Sequence, residues 1–504
     1  MDIESLKKKL NSHGQEELLK FWDTLGEKEQ KSLYEQISSI DIAHVVESFK
    51  TVTIEDKNHN KIDDQMKPVS PDVFGSFEKS DAKTRRKYEE RGLTEIGNNK
   101  VGVLLLAGGQ GTRLGVNYPK GMVSVGLPSG KTLFQLQAER LLKLQQLAEE
   151  FSGHKNVIPW YIMTSEHTKE PTEAYFEKNK YFGLEKEHIT IFEQSRLPCV
   201  SNEGEIILET PSKIAMAPDG NGGLYRAVNK HKVLDDMSKR GVQYVHVYCV
   251  DNILVKMADP IFLGFCIGKD ARCGAKSVVK EFPTEPVGII CNVNGVYQVA
   301  EYSEISTETA EKKTEDGKLA FNAGNICNHF FTLDFLKEVA SQDQEKKLKY
   351  HIAKKKIPYV NEEGKSCKPE KPNGIKMEKF VFDVFQFCTD KDFAVWEVLR
   401  EEEFSPLKNA NTAEKDNATT CCRAIYDLHI KYIERAGGNV VKNNPKKSPS
   451  HHSENDDLIV CEISPLVSYA GEGLENLVKE KTFVSPVTVF KTSDGTATVK
   501  DSSA

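Results

Sequence analysis

Between Leu106 and Lys120 the chain reads Leu-Ala-Gly-Gly-Gln-Gly-Thr-Arg-Leu-Gly, and Pro119-Lys120 follows shortly after. Gly108, Gly109 and Gly111 come directly after the apolar run Val101 to Ala107. Glycines in that place let backbone N–H groups approach an anion without interference from Cβ atoms. Arg113 and Lys120 add the fixed positive charge that a triphosphate requires. A plain tight turn between strand and helix needs neither that density of glycine nor the two cations.

Two familiar phosphate loops fail here by one residue each. A dinucleotide fingerprint, Gly-x-Gly-x-x-Gly, needs a glycine where Leu114 stands, and Gly115 comes one place late. Gly126 to Thr132 approaches a Walker loop but leaves three residues, not four, before Gly130-Lys131. Lys131 and Thr132 instead begin the next helix. Asp251, directly after the apolar run Tyr244 to Val250, is a second reactive element. A carboxylate at the edge of a sheet suits Mg²⁺, which takes oxygen ligands and often only one or two from the protein. A capping or turn-forming Asp is the competing reading. Gly220, Gly222 and Gly223 around Asn221 suggest a second ligand-facing loop, against which stands an ordinary turn at Pro218.

These groups need elements to position them. Val101 to Ala107, Val157 to Met163, Ile189 to Phe192 and Tyr244 to Val250 read as strands, the first buried on both faces. Helices alternate with them. One carries Phe134, Ala138, Leu141 and Leu142 on a face, another covers Thr168 to Lys180, and a third covers Leu224 to Arg240. The alternation predicts a doubly wound α/β sheet whose ligands lie beyond the carboxyl ends of the strands. Asn294-Gly295 between Val287–Val293 and Val296–Tyr302 signals a hairpin. On it Glu301 shares a face with Tyr297 and Val299. An unpaired carboxylate there would be costly, and sugar hydroxyls would satisfy it; the alternative is an edge carboxylate facing water.

The N-terminal stretch to about Phe49 has a helical pattern, with Leu18, Phe21, Trp22 and Leu25 on one stripe. Glu55 to Ser70 reads as a polar connector, and Lys83 to Glu90 as helix again. Lys408 to Thr420 and Val440 to Asp457 have the composition of mobile surface loops. The expected organisation is a helical region over 1–95, a catalytic domain over 96–390 and a smaller C-terminal lobe over 391–504.

Bulk properties narrow the class. The 504 residues are 38% hydrophobic and 28% charged, enough for one large core and smaller lobes. A net charge of −7 gives no global basic field, so nucleic acid is not expected as a partner. No segment approaches the roughly 20 apolar residues of a membrane span, and no signal-peptide core is expected in the first thirty residues. The 11 cysteines are scattered without a Cys-x-x-Cys pair, which argues for reduced thiols in the cytoplasm and against a zinc site or disulfide frame. The sequon Asn417-Ala418-Thr419 is then a chance match.

The loop Leu-x-Gly-Gly-x-Gly-Thr-x-Leu-Gly-x3-Pro-Lys resembles the signature of eukaryotic UDP-sugar pyrophosphorylases, and Arg113 resembles their UDP-N-acetylhexosamine branch. The likeness continues through Met216 to Tyr225, Tyr248 to Ile253, Glu301 to Glu304, Asn322 to Asn325, Gly374 to Phe380, Phe404 to Lys408 and Ile463 to Gly473. It therefore spans nearly the whole chain. It implies a Rossmann-like mixed sheet with the nucleotidyltransferase core, and transfer of UMP from UTP to N-acetylglucosamine 1-phosphate, with the N-acetylgalactosamine epimer as a second acceptor. It also implies Mg²⁺ or Mn²⁺ held by Asp251. A homodimer is allowed for; no membrane partner is expected.

What the resemblance implies for single residues follows the chemistry. A phosphate oxygen of the sugar attacks the α-phosphorus of UTP in line, which requires positioning and charge neutralisation rather than a protein nucleophile. Arg113 and Lys120 would hold the triphosphate, Lys376 would reach the α-phosphate and Lys408 the sugar phosphate. Leu106, Ala107, Gly108, Gly109, Gln194 and Gly220 would line the nucleotide. For the sugar, Asn221 and Asn325 offer amides, Gly288 allows close approach, and Glu301 and Tyr302 come from the hairpin. Phe380 and Phe382 would line an acetyl-methyl pocket, although aromatics at this spacing also suit plain core. Two other readings stand beside this one: a UDP-glucose pyrophosphorylase, and a sugar-nucleotide sensor that binds without turnover.

Overall fold

The computed structural model describes residues 1–57, 62–302, 304–443 and 458–503. Its packing falls into two units: Met1–Ile62, Gln194–Lys230 and Val339–Val384 form one, while Asp63–Glu193, His231–Glu338 and Phe385–Ala504 form the other.

The larger unit is built on an 11-stranded mixed sheet. We number ten of its strands in chain order: β1 (Phe74–Ser76), β2 (Val101–Leu106), β3 (Trp160–Thr164), β4 (Ile189–Glu193), β5 (Tyr244–Cys249), β6 (Cys273–Val279), β7 (Ile289–Val293), β8 (Val296–Ala300), β9 (Ala323–Thr332) and β10 (Phe393–Glu397). The order across the sheet is β1-β10-β6-β9-β5-β2-β3-β4, with the β7–β8 hairpin joined to β9 and the short strand Met66–Lys67 paired to β7. Strands β5, β2, β3 and β4 are mutually parallel; β9 runs antiparallel to both β5 and β6. The sheet is thus mixed and open, as expected.

Every residue of β2 is buried, which explains its unbroken apolar run. Val101, Val103 and Leu105 pack in one core with Phe134, Ala138 and Leu141 of the helix Leu133–Ser152. That helix starts at a Thr132 cap and stops at Gly153, whose φ of 74° is left-handed. A second core joins the helix Ala418–Arg435 and the strands Cys461–Ile463 and Val487–Lys491 to Val123, Leu136, Ile253 and Leu254. The C-terminal residues therefore brace the segments that follow β2 and β5. Asn417 caps the helix Ala418–Arg435, its Oδ1 accepting from the Thr420 amide at 2.9 Å, which gives the sequon asparagine a structural task.

The smaller unit packs the helices Ile3–Asn11, Glu27–Ser39 and Ile42–Lys57 with a three-stranded sheet of His351–Lys355, Gly374–Glu378 and Val200–Ser201. Here two expectations need correction. The stripe Leu18 to Leu25 is not one α-helix but two 3₁₀ turns, Glu16–Leu19 and Trp22–Thr24, because four apolar residues at that spacing also bury well from successive tight turns. The second correction crosses the unit boundary: the Leu224 to Arg240 helix is broken into Leu224–Lys230 and Val233–Lys239 by Lys232, with φ of 55°. Strand β3 starts only at Trp160, three residues later than the apolar run. The Lys408–Thr420 stretch is pinned, with the Lys408 and Asn409 amides both donating to Asp416 O at 2.7 and 2.8 Å. Most of Val440 to Asp457 lies outside the described residues.

Candidate active site

Strand order reverses at β2. From it the chain proceeds to β3 and β4 on one side, while β5 lies on the other. Crevices at such a point, outside the carboxyl ends of parallel strands, are where open α/β sheets bind ligands. Leu106 and Cys249 end their strands side by side in register. The glycine loop after Leu106 and the carboxylate of Asp251 after Cys249 are therefore neighbours by topology. The side chains confirm it: Lys120 Nζ lies 3.6 Å from Asp251 Oδ2, both half-buried.

The loop itself is held by its backbone. Ala107 donates to Met163 O at 2.7 Å, Gly111 to Tyr118 O at 3.1 Å and Lys120 to Gly109 O at 3.3 Å. Ser165 Oγ donates to Gly108 O at 2.9 Å, so a residue of the segment after β3 fixes the carbonyl at the turn. At Gly111 a Cβ would come 2.3 Å from Val116 Cγ2, whereas at Gly109 it would meet nothing within 4 Å. Gly111 is thus required by packing, and Gly109 leaves open space beside the backbone. Arg113 is exposed, on the 3₁₀ turn Gly111–Leu114.

Asp251 is fixed from its other side. The Leu407 amide donates to Asp251 O at 2.8 Å, and the Ile253 amide to Ser405 O at 3.2 Å. Asn252, 3% exposed, ties the two segments together. Its Oδ1 accepts from the Ser405 amide at 3.0 Å and its Nδ2 donates to Glu403 O. Lys408 follows Leu407 directly, and it lines a cleft of about 210 Å³ with Lys415, Arg400, Glu281 and Glu285. Sequence reasoning passed over both Asn252 and Ser165; short polar residues after a strand look like ordinary turn formers.

The hairpin forms where expected, with Asn294 and Gly295 both left-handed at φ of 54° and 86°. Its paired strands end at Ala300, so Glu301 and Tyr302 stand just beyond them, and Tyr302 is exposed. Gly288 and Asn325 are brought together, the Asn325 amide donating to Gly288 O at 2.8 Å. A Cβ on Gly288 would lie 3.2 Å from Glu301 Oε1, so the three sugar candidates Gly288, Glu301 and Asn325 form one cluster. Replacing Glu301 with alanine should raise KM for the sugar phosphate and leave KM for UTP largely intact if the hairpin serves only the sugar. Initial-rate kinetics with each substrate varied in turn is the check; parallel losses for both substrates would refute the assignment.

Gln194, Gly220, Asn221, Lys376, Phe380 and Phe382 belong to the smaller unit. Gly220 has φ of 81°, and a Cβ there would come 2.3 Å from Lys379 O. The Gly222 amide donates to that same carbonyl at 2.8 Å, and the Lys379 amide donates to Asp219 O at 2.8 Å. The glycines thus serve close approach to the Lys379 backbone, three residues beyond Lys376. Asn221 Oδ1 accepts from the Val381 amide at 2.9 Å. Beneath this contact lies a buried charge cluster in which Lys379 Nζ donates to Glu345 Oε1 at 2.8 Å and Arg226 donates to both Glu345 oxygens. Burial alone would raise Glu345; Lys379 and Arg226 hold it below its ordinary value. Burial pushes Asp219 up to about 6. Phe380 stacks on His351 at 4.3 Å between centroids and on Phe382 at 5.1 Å, and Phe382 is 5% exposed, which makes it core. Gly220→Ala should cost about 1–3 kcal/mol in unfolding free energy through overpacking and the left-handed φ, read as a lowered denaturant midpoint.

Residues 43–446 match the UTP–glucose-1-phosphate uridylyltransferase family. The chain belongs to this family. Within it, the chain is 54% identical to a UDP-N-acetylhexosamine pyrophosphorylase-like protein 1 of Xenopus tropicalis, over 97% of each chain. It is 43% identical to the UDP-N-acetylglucosamine pyrophosphorylase of Saccharomyces cerevisiae, over 93% of this chain and 96% of that one. Among solved structures, the Trypanosoma brucei uridine diphosphate N-acetylglucosamine pyrophosphorylase in complex with an inhibitor superposes with a TM-score of 0.79 at 30% identity, covering 94% of both chains.

Membership gives the local geometry its meaning. Lys120 and Asp251 stand as an ion pair at the carboxyl ends of the parallel strands β2 and β5, beside the glycine loop. Ser165 donates to the Gly108 carbonyl, and Asn252 ties the segment after β5 to Ser405 and Glu403, so both hold the loops that carry this pair.

Proposed function

We propose that this chain transfers UMP from UTP to N-acetylglucosamine 1-phosphate, giving UDP-N-acetylglucosamine and pyrophosphate, with the N-acetylgalactosamine epimer as a second acceptor. The observation that carries the reading is the Lys120–Asp251 pair at the strand-order reversal, immediately beside the glycine loop.

The reaction asks little covalent work of the protein. Arg113 and Lys120 neutralise the β- and γ-phosphates and stabilise the pyrophosphate as the α-phosphorus–oxygen bond breaks. Backbone amides of the loop, with Gly109 beside open space, hold the triphosphate so that the attacking oxygen of the sugar phosphate stands in line. The half-buried carboxylate of Asp251 is a hard oxygen donor beside the phosphate loop, which fits Mg²⁺ or Mn²⁺, and it would hold that ion. When bound, the ion supplies charge neutralisation at the reacting phosphates. Lys408 takes the sugar phosphate. Gly288, Glu301 and Asn325 hold the sugar.

All 11 cysteines are free, and among the described residues no helix is long and apolar enough to cross a membrane. Free thiols in this number suit a reducing, cytoplasmic setting. The reading is tested in reverse: incubation of UDP-N-acetylglucosamine with pyrophosphate and Mg²⁺ should yield UTP, followed chromatographically. Binding of the nucleotide sugar without any UTP would favour a sensor.

A further inference from the structure

Strand β6 carries a lysine where a sheet interior ordinarily has an apolar side chain. Lys276 is 0% exposed, and its Nζ donates to Asp259 Oδ2 at 2.7 Å and to Glu403 Oε2. The two carboxylates come from different segments. Asp259 ends the stretch that runs on from Asp251, and its Oδ1 accepts from the Ile261 amide at 3.1 Å, capping the helix Pro260–Gly268. Glu403 ends the short helix Arg400–Glu403, from which the chain passes through Ser405 and Leu407 to Lys408. One buried ammonium thus ties both segments to the sheet. Around it Lys256 stands 3.4 Å from Glu402 Oε2 and 3.7 Å from Glu403 Oε1, and Arg435 donates to Glu402 Oε1 at 2.6 Å. Lys276, Lys256 and Arg435 therefore meet Asp259, Glu402 and Glu403, carboxylates no more than 5% exposed.

Stability alone does not call for such a cluster. Replacing a buried ion pair by neutral residues of similar volume is often neutral or stabilising, because desolvation offsets the attraction. What directed, charge-assisted hydrogen bonds add over apolar packing is position. The position fixed here is that of the candidate site. From Glu403 the bonds run on as a ladder: its O accepts from Asn252 Nδ2, and Asn252 Oδ1 accepts from the Ser405 amide. The Ile253 amide then donates to Ser405 O and the Leu407 amide to Asp251 O. Asp251 and Lys408 lie at the far end of this ladder, and Lys276 holds the near end of both its sides.

We propose that Lys276 is a positioning residue for the reaction: by holding Asp259 and Glu403 together it sets Asp251 against Lys408. It touches no substrate. The inference rests on the proposed roles of Asp251 and Lys408 in uridylyl transfer. A misplacement of about 1 Å at groups of that kind costs on the order of 100-fold in rate.

The test compares the full chain with the double variant Lys276→Met/Asp259→Asn. The variant removes one charge of each sign, leaves Lys256 and Arg435 with Glu402 and Glu403, and keeps a residue type able to cap the helix. Its denaturation midpoint should stay close to that of the parent. Hydrogen exchange read by mass spectrometry should show the Ile253, Ser405 and Leu407 amides at least about tenfold less protected. Turnover should fall at least about tenfold, and KM for N-acetylglucosamine 1-phosphate should rise at least about threefold. A chain that is merely less folded loses kcat in proportion, keeps its KM and loses protection throughout. Parental turnover in the folded variant overturns the proposal, and so does a fall in kcat with KM and these amides unchanged. Should the double variant not fold, Glu403→Gln keeps the size of the side chain and the carbonyl that Asn252 donates to, and the same changes should appear at about threefold or more. A parent chain that releases no pyrophosphate overturns the functional reading and this inference with it, whereas an active parent with an unaffected variant overturns this inference alone.

Discussion

Asp251→Asn is expected to lower kcat by at least about 100-fold while the protein stays folded. Asparagine keeps the size of the side chain and removes its charge. The backbone of residue 251 is held by Leu407, and its neighbour Asn252 by Ser405 and Glu403, none of which depends on the carboxylate. A partly exposed pair such as Lys120–Asp251 contributes no more than about 1 kcal/mol to stability, so the loss falls on the chemistry. Circular dichroism and the denaturation midpoint should match the parent. Near-normal turnover at moderate Mg²⁺ would show the carboxylate to be structural.

Glucose 1-phosphate is expected to be a far poorer acceptor than either N-acetylated sugar. The proposed role of Asn221 supplies the physical reason: its Oδ1 accepts from the Val381 amide, which would leave Nδ2 as the donor for an acetamido carbonyl. A sugar lacking that carbonyl leaves the amide without its partner. Sites built to hydrogen-bond a substrate group reject analogues lacking it by up to about 10⁴-fold, whereas a missing apolar contact gives about 10–200-fold. Phe382 is already core and Phe380 stacks on it and on His351, so the polar loss is the larger. The epimers differ in the direction of one hydroxyl and should fall within about tenfold of each other. Comparison of kcat/KM for the three sugar phosphates decides it; equal values would sink the assignment of Asn221 but leave uridylyl transfer standing.

Those parts of the site that depend on short-range pattern were legible in the sequence. The glycine loop after a fully buried strand, Asp251 after another, and the Asn294-Gly295 hairpin each declare themselves within about ten residues. The strand-order reversal followed from alternation of strands and helices. Contacts made across the fold did not show. The closeness of Gly220 to the Lys379 carbonyl joins segments far apart in the chain, as does the tie of Asn252 to Ser405. Lys376 and Lys408 carry no local signal and came only with the resemblance. The Leu18 to Leu25 stripe misled because one spacing serves both an α-helix and paired 3₁₀ turns.

The most direct measurement is pyrophosphate release from UTP by the purified chain, with Mg²⁺ and N-acetylglucosamine 1-phosphate. Pyrophosphate should appear in one-to-one proportion with UDP-N-acetylglucosamine, only when sugar phosphate and metal are both present, and at a rate that collapses in Asp251→Asn. Tight binding of UTP and the sugar phosphate with no pyrophosphate formed, under conditions where the fold is intact, would contradict the assignment of a uridylyltransferase.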